Sequence, residues 1–322
     1  MIHRRSFSIA LAAAALPLAA RAQDYPKQPV RGIVSNAPGT GTDITARFIT
    51  KQMSQKWGVP VFVENKAGAG GALATDYVAK AAPDGYNILF TTGAHYGLPA
   101  LYEKLAFDAQ ADFIPVAALA QSPIVVFVPA DSPFKTVQDL IDAAKKSPNS
   151  LSYSSPGGGT SSHLAAVMMN NQAGIRMLHV PYKSASQSAL DVASGQVPVG
   201  FNGTGAALPL LHAGKIRILA ISSRKRSATL PQVPTLDEAG LKGYDFVVPI
   251  LALVRAGTPA PIVDAIGAAA TAAAAQPEFQ ELCKAQGLDV AIQGPAEMKV
   301  SAPQEFAKWK RLVALAGAKA QN

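Results

Sequence analysis

Along the chain, short apolar runs of strand length take turns with longer stretches whose apolar residues recur at helical spacing. The runs 30–35, 59–64 and 86–91 read as strands. Behind the first, Ile44, Phe48, Ile49, Met53 and Trp57 share a helical face, and Gly58 stops it. Behind the second, residues 72–81 read as a helix closed by the turn Pro83-Asp84-Gly85. A β-α-β-α-β order predicts a parallel sheet with helices packed on it.

The second half repeats this rhythm. Runs 113–120 and 124–129, parted by Gln121-Ser122-Pro123, read as separate strands leaving a first domain. Then come a helix (136–146), a strand (151–154) and a helix carrying Leu164, Val167 and Met168, ended by Gly174. A strand (178–181), a helix (185–194), strands at 197–201 and 216–222 and a short helix (206–212) complete a second β/α unit. The apolar run 245–254 returns the chain to the first unit, and three helices (262–275, 277–286, 296–316) finish it. Crossings near 122–128 and 243–252 predict a two-strand hinge. The expected fold is α/β and two-lobed, with domain 1 at 23–123 plus 246–322 and domain 2 at 124–245.

Two loops stand where a strand run meets a helix run. Pro38-Gly39-Thr40-Gly41-Thr42 precedes Asp43, and Pro156-Gly157-Gly158-Gly159-Thr160 precedes Ser161, 118 positions on (156 − 38). Glycines allow close backbone approach, and a helix N-terminus offers unpaired N–H groups and partial positive charge to an anion. Ligands in such sheets bind beyond the carboxyl ends of strands. The repeat therefore predicts a cleft in which Thr42 and Thr160 grip one small anion from opposite lobes. Asp43 has two readings: a helix cap paired with Arg47, or a group arranged around the ligand. Tyr182 is either core or cleft wall. Gly68-Ala69-Gly70-Gly71 reads first as close packing of a helix on a strand, with lining of the cleft as the alternative.

Composition narrows the function. With 322 residues, 49% hydrophobic and 16% charged, the chain has material for two cores. Its formal charge of +8 is scattered, without a basic run or interleaved aromatics, so nucleic acid is not expected. Arg4-Arg5, an apolar run at 9–20 and Ala20-Arg21-Ala22 make residues 1–22 a signal peptide cleaved after Ala22. Arg4-Arg5-Ser6-Phe7 also resembles a twin-arginine signal, so the general and twin-arginine routes both stay open. Cleavage removes Arg4, Arg5 and Arg21 and leaves about +5 (8 − 3). No stretch predicts stable membrane insertion. The lone Cys283 forms no internal disulfide and reads as a buried helix position. No Cys/His cluster has metal spacing, so no metal is expected.

Known catalytic patterns fail. Gly39-Thr40-Gly41-Thr42-Asp43-Ile44 and its counterparts at 157–162 and 68–73 lack the last glycine of a dinucleotide fingerprint, and none is a P-loop. No cofactor is expected. Ser162 and His163 are adjacent and cannot face each other on a helix, and no nucleophile elbow surrounds them. The chain is not expected to be an enzyme.

Several motifs occur in a telling order: Tyr25-Pro26, Ala37-Pro38-Gly39-Thr40-Gly41-Thr42-Asp43, Val63-Glu64-Asn65-Lys66-Ala67-Gly68-Ala69-Gly70-Gly71 and Ala82-Pro83-Asp84-Gly85-Tyr86. Gly159-Thr160-Ser161-Ser162-His163-Leu164, His179-Val180-Pro181-Tyr182-Lys183, Pro231-Gln232-Val233-Pro234-Thr235 and Ala256-Gly257-Thr258-Pro259 follow. Together they resemble the Bug-type receptors of tripartite tricarboxylate transporters, over essentially the whole mature chain. The resemblance implies a periplasmic, monomeric, two-lobed Venus-flytrap protein that binds a small organic acid. Its partners would be membrane permease subunits or, alternatively, a sensor protein. It implies ligand contacts from Ala37, Gly39, Thr40, Gly41, Thr42, Asp43, Thr92, Gly93, Gly158, Gly159, Thr160 and Ser161, and Tyr182 and Asn202 are counted with the ligand-binding residues. Thr40 departs from the glycine usual in the family. Phe201-Asn202-Gly203-Thr204-Gly205 departs from Phe-Asp-Asn-Leu-Pro, which makes the cleft less negative, since Asn both donates and accepts.

Overall fold

A computed structural model describes residues 25–319. The signal-peptide reading of residues 1–22 lies outside them. The first unit opens β1 (Val30–Val34), α1 (Gly41–Trp57), β2 (Val61–Asn65), α2 (Ala72–Ala79), β3 (Asn87–Thr92) and the short α3 (Leu98–Leu101). β1 lies between β2 and β3, parallel to both. Local chemistry sets these boundaries. α1 starts where the Thr40 hydroxyl accepts the Asp43 N–H, and it ends at Gly58 in the left-handed conformation (φ 70°).

β4 (Phe113–Pro129) then runs 17 residues as a single strand, where the sequence reading placed two. Ser122-Pro123 reads as a turn, but a residue before proline favours extended backbone, so the pair continues the strand. There the strand changes partners: Phe113–Pro123 pairs β9 (Val247–Arg255), whereas Ile124–Phe127 pairs β7 (Val199–Gly203). The second unit comprises α4 (Val137–Lys146), β5 (Ser152–Ser155), α5 (Ser161–Ala173), β6 (Leu178–Pro181), α6 (Ala185–Ala193), β7, α7 (Thr204–His212) and β8 (Ile216–Ile221). β5 is parallel to both β6 and β7, and β8 pairs β4.

After β9 the chain forms α8 (Ala260–Ala274), α9 (Pro277–Ala285), β10 (Asp289–Gln293) and α10 (Pro295–Ala316). The sequence reading missed β10, a five-residue, half-exposed strand antiparallel to β4. The ten strands form one sheet in the order β2-β1-β3-β9-β4-β7-β5-β6, with β8 and β10 also on β4. β4 is thus the strand common to both lobes. One apolar cluster, with Ile49, Phe90 and Phe279, fills the first lobe. Another, with Phe127, Val192 and Ile218, fills part of the second. A third, with Tyr153, Leu164 and Trp309, carries α10 against α5 and across to β4.

Candidate functional site

The carboxyl ends of β1, β2, β3 and β5 converge on a cavity of about 480 Å³, as the parallel strand order requires. Residues 35–37 follow β1, 67–71 follow β2, Thr92 ends β3, and 158–161 form the second loop. Leu98, Leu101 and Tyr102 supply an apolar wall. None of the lining residues carries a charged side chain. Another cavity of about 370 Å³, beside Lys225, Arg226 and Lys284, contains neither glycine loop, and its Arg226 is engaged by Glu238.

The two loops are built to one plan, in a register the literal repeat does not give. Thr40 caps α1 and Thr160 caps α5: each hydroxyl accepts an N–H three residues on, from Asp43 or His163, at 3.4 Å. Each also donates three residues back, to the Ala37 or Gly157 carbonyl, at 2.8 Å. Gly39 (φ 82°) and Gly159 (φ 74°) both take left-handed backbone that suits glycine. Gly39 N–H donates to Asp43 Oδ2 at 2.9 Å, and Gly159 N–H donates to His163 Nδ1 at 3.0 Å. The structural partner of Thr160 is therefore Thr40, and the sequence pairing of Thr160 with Thr42 is corrected. Thr42 is a buried position inside α1.

Asp43 takes the structural reading. Its Oδ2 also accepts from Arg47 Nε (2.9 Å), and its Oδ1 accepts from Asn65 Nδ2 (2.8 Å), which in turn reaches the Asn36 carbonyl. Burial opposes its ionisation, but hydrogen bonds from Arg47, Asn65 and Gly39 outweigh that and hold its carboxyl below the ordinary range. The residue thereby ties β1 and β2 to the loop.

Of the residues the sequence singled out, the structure brings Ala37, Thr92, Gly158, Gly159, Thr160 and Ser161 to the cavity. Gly39, Thr40, Gly41, Thr42 and Asp43 do not line it, and Gly41 faces Leu288 instead. Gly93 is buried against Pro249 and Trp309. Tyr182 takes the core reading and does not line the cavity: it is half-buried and packed against the apolar cluster of the second lobe, its hydroxyl donates to Asp191 (2.8 Å), and its carbonyl backs Gly157. Asn202 is fully buried, its amide donating to Ala185 O and Ser188 Oγ, so it lies away from the cavity. The sequence reading passed over Ser35, Asn36 and the wall at 98–102. It favoured packing over cleft lining for Gly68–Gly71, whereas these glycines line the cavity. Their signal was positional: each follows the carboxyl end of a parallel strand. The wall had no such signal, because residues 93–101 show no clear periodicity.

Comparison with known proteins decides the family. A family model, TctC, described as "Tripartite tricarboxylate transporter family receptor", matches residues 45–317. The chain belongs to the tripartite tricarboxylate transporter receptor family. This is a family of periplasmic solute-binding receptors, not enzymes. The fold resembles that of R. palustris Rpa4515, solved with adipate, at TM-score 0.77 and 30% identity over 91% of this chain and 98% of the other. It resembles the periplasmic binding protein BugD at TM-score 0.74 and 32% identity, over 92% and 100%. It also resembles MatC from Rhodopseudomonas palustris, solved with malate, at TM-score 0.72 and 30% identity, over 90% and 100%. The receptor is thus a two-lobed, Bug-type solute-binding protein. No helix among its described residues is long and apolar enough to cross a membrane.

Proposed function

We propose that this receptor holds a small organic carboxylate in the 480 Å³ cavity and delivers it to the permease subunits of a tripartite transporter. One observation carries the reading: loops and hydroxyls from both lobes meet at a cavity whose lining has no charged side chain. An anion there meets neither a repelling carboxylate nor a neutralising cation. Its oxygens are held by N–H groups at the start of α5 and by the hydroxyls of Thr92 and Ser161, while the Thr160 hydroxyl is spent on the loop. A helix N-terminus contributes about 0.3–1 kcal/mol to an exposed anion and up to ~2 kcal/mol to a partly buried one. The adipate and malate of its structural neighbours support the ligand class. Leu98, Leu101 and Tyr102 leave room for an apolar carbon chain between the polar ends.

In this reading Ala37, Thr92 and residues 158–161 touch the ligand, while Gly39, Thr40 and Asp43 keep the first loop in shape. The lobes are 23–123 with 246–322, and 124–245. The chain is exported by its leader, cleaved after Ala22, and works as a monomer without cofactor or metal. Native mass spectrometry of the periplasmic protein, followed by calorimetric titration with the co-purified acid, adipate and malate, tests the ligand. Stoichiometric binding of at least one carboxylate, recovered unaltered, is expected. A protein that carries no acid and binds none of a broad carboxylate panel overturns the reading.

A further inference from the structure

The two loops share a plan but are fastened by different chemistry. The acceptor for Gly39 N–H is a carboxylate, and the acceptor for Gly159 N–H is a ring nitrogen of a histidine. We propose that His163 is a positioning residue for the second ligand loop, and that acidification releases this loop while the first stays fastened. The inference rests on the reading that residues 158–161 touch the ligand.

The geometry behind the loop is specific. His163 Nδ1 accepts only while it is unprotonated, since a proton there would set N–H against N–H. The His163 ring stacks face to face on His179, with centroids 4.0 Å apart and planes 7° apart. His179 stacks in turn on Tyr153 at 5.0 Å. His179 Nε2 lies 2.7 Å from Ser155 Oγ, and that hydroxyl oxygen accepts the Gly157 N–H at 3.3 Å. Both Gly157 and Gly159 are therefore held from the histidine pair.

Among the described residues no carboxylate is paired with either ring. From β5 it meets Tyr153 and Ser155, and from β6 and α5 each ring meets the other. On α6, Asp191 is taken up by Tyr182 and Gln187. At the C-terminal segment Ala318 approaches Gly159, and the neighbouring Lys319 pairs with Glu103. Burial lowers both histidines, and His163 lowers His179 further, to about 4. His163 also sits in the first turn of α5, where the helix dipole opposes a cation. Protonated His163 would attract an anion by charge, but its Nδ1 faces Gly159 and the ring does not line the cavity. Loss of loop order therefore dominates.

The test uses the mature protein. Without ligand, ¹⁵N spectra from pH 7.5 to 4.5 should show the Gly159 amide and His163 ring nitrogens moving together, with a midpoint below the ordinary ~6.5 of histidine, while the Gly39 amide stays still. With adipate as probe, affinity should fall by about tenfold from pH 7.5 to pH 5, the loss expected when one hydrogen bond ordering a loop is broken. His163→Asn supplies a non-titrating oxygen of the size that serves at Asp43, and it should flatten this pH dependence whatever its affinity at pH 7.5. A Gly159 amide that ignores His163 protonation overturns the proposal. So does a His163 that stays neutral to pH 4.5, an affinity that rises on acidification, or an unchanged pH dependence in His163→Asn. The amide readout needs no ligand, so failure of adipate to bind would count against the ligand reading and leave this one decided by the spectra.

Discussion

Thr40 and Thr160 each use a hydroxyl twice, accepting from the helix and donating back into the loop. Valine at either place keeps the shape and removes both bonds. Thr40→Val and Thr160→Val should each lose about 1 kcal/mol of stability, the usual worth of an N-cap, with a fall of a few degrees in melting temperature. Thr42→Val should melt almost like the wild type, because Thr42 caps nothing. Equal losses at Thr42 and Thr40 would restore the literal repeat as the structural one. His95 gives a second prediction. It is 2% exposed, its Nε2 lies 2.8 Å from the Ala109 carbonyl, and burial pushes its pKa down to about 4. Between pH 4 and the unfolded value of ~6.5 the unfolded chain binds the extra proton, so stability rises with pH through this window. Acidification from pH 7 to 4 should cost roughly 3 kcal/mol through His95 alone. Denaturant melts of His95→Gln should show a shallower pH slope there, and an undiminished slope would assign the effect elsewhere.

At the scale of elements, glycine positions that look alike in sequence differ in consequence. A Cβ on Gly158 meets nothing within 4 Å, whereas one on Gly159 would lie 2.8 Å from Leu101 Cδ2 on α3, with φ at 74°. Gly158→Ala should therefore be nearly silent in thermal melts. Gly159→Ala should lose at least ~1 kcal/mol, and Leu101→Ala should recover only the part due to the clash. Full recovery would mean that the backbone is not strained there. These elements also show what the sequence makes legible. Apolar periodicity located β1, β2, β3, β6 and α1 to within a residue or two at nearly every end, and α1 is bounded by the polar cap Thr40 and by Gly58. Ser122-Pro123 reads as a break in the sequence, whereas the residue before a proline simply stays extended and the strand runs on. α3 is too short to show a helical period, and β10 gives no strand signal because its apolar Val290 and Ile292 are exposed and alternate with half-buried neighbours. The loops were found from their glycines, but their true correspondence depends on which side chain, Asp43 or His163, reaches back to a backbone N–H. That reach follows from helix geometry and is not visible in a matched string.

For the whole molecule, the question is what holds one lobe against the other. β4 runs unbroken from one lobe into the other and the chain returns beside it at the start of β9, so bending there is the motion the topology allows. Away from that crossing, side chains of the second unit reach the segment between α9 and β10. The Thr204 hydroxyl donates to the Gly287 carbonyl, and Ser227 Oγ donates to Asp289 Oδ1 at 2.6 Å, which also accepts the Ala228 N–H. Gly287 takes φ 67°, and a Cβ there would meet Leu208 and Thr204, so the contact is shaped for glycine. Thr204 stands at a position where the resemblance leads one to expect leucine, which has no hydroxyl to donate. Thr204→Val keeps the branched shape, which preserves packing, but leaves a buried carbonyl unpaired at a cost of about 1–3 kcal/mol. Since that bond joins the lobes, its loss should fall on closure more than on folding. Small-angle scattering of ligand-free Thr204→Val should give a larger radius of gyration than ligand-free wild type, and adipate should contract both. Because the variant starts from a more open state, its adipate affinity should be weaker by the fraction of closed molecules lost. An unchanged radius with a lowered melting temperature would place the hydroxyl in folding stability instead, and would leave the β4–β9 crossing as the element that sets the distance between the lobes.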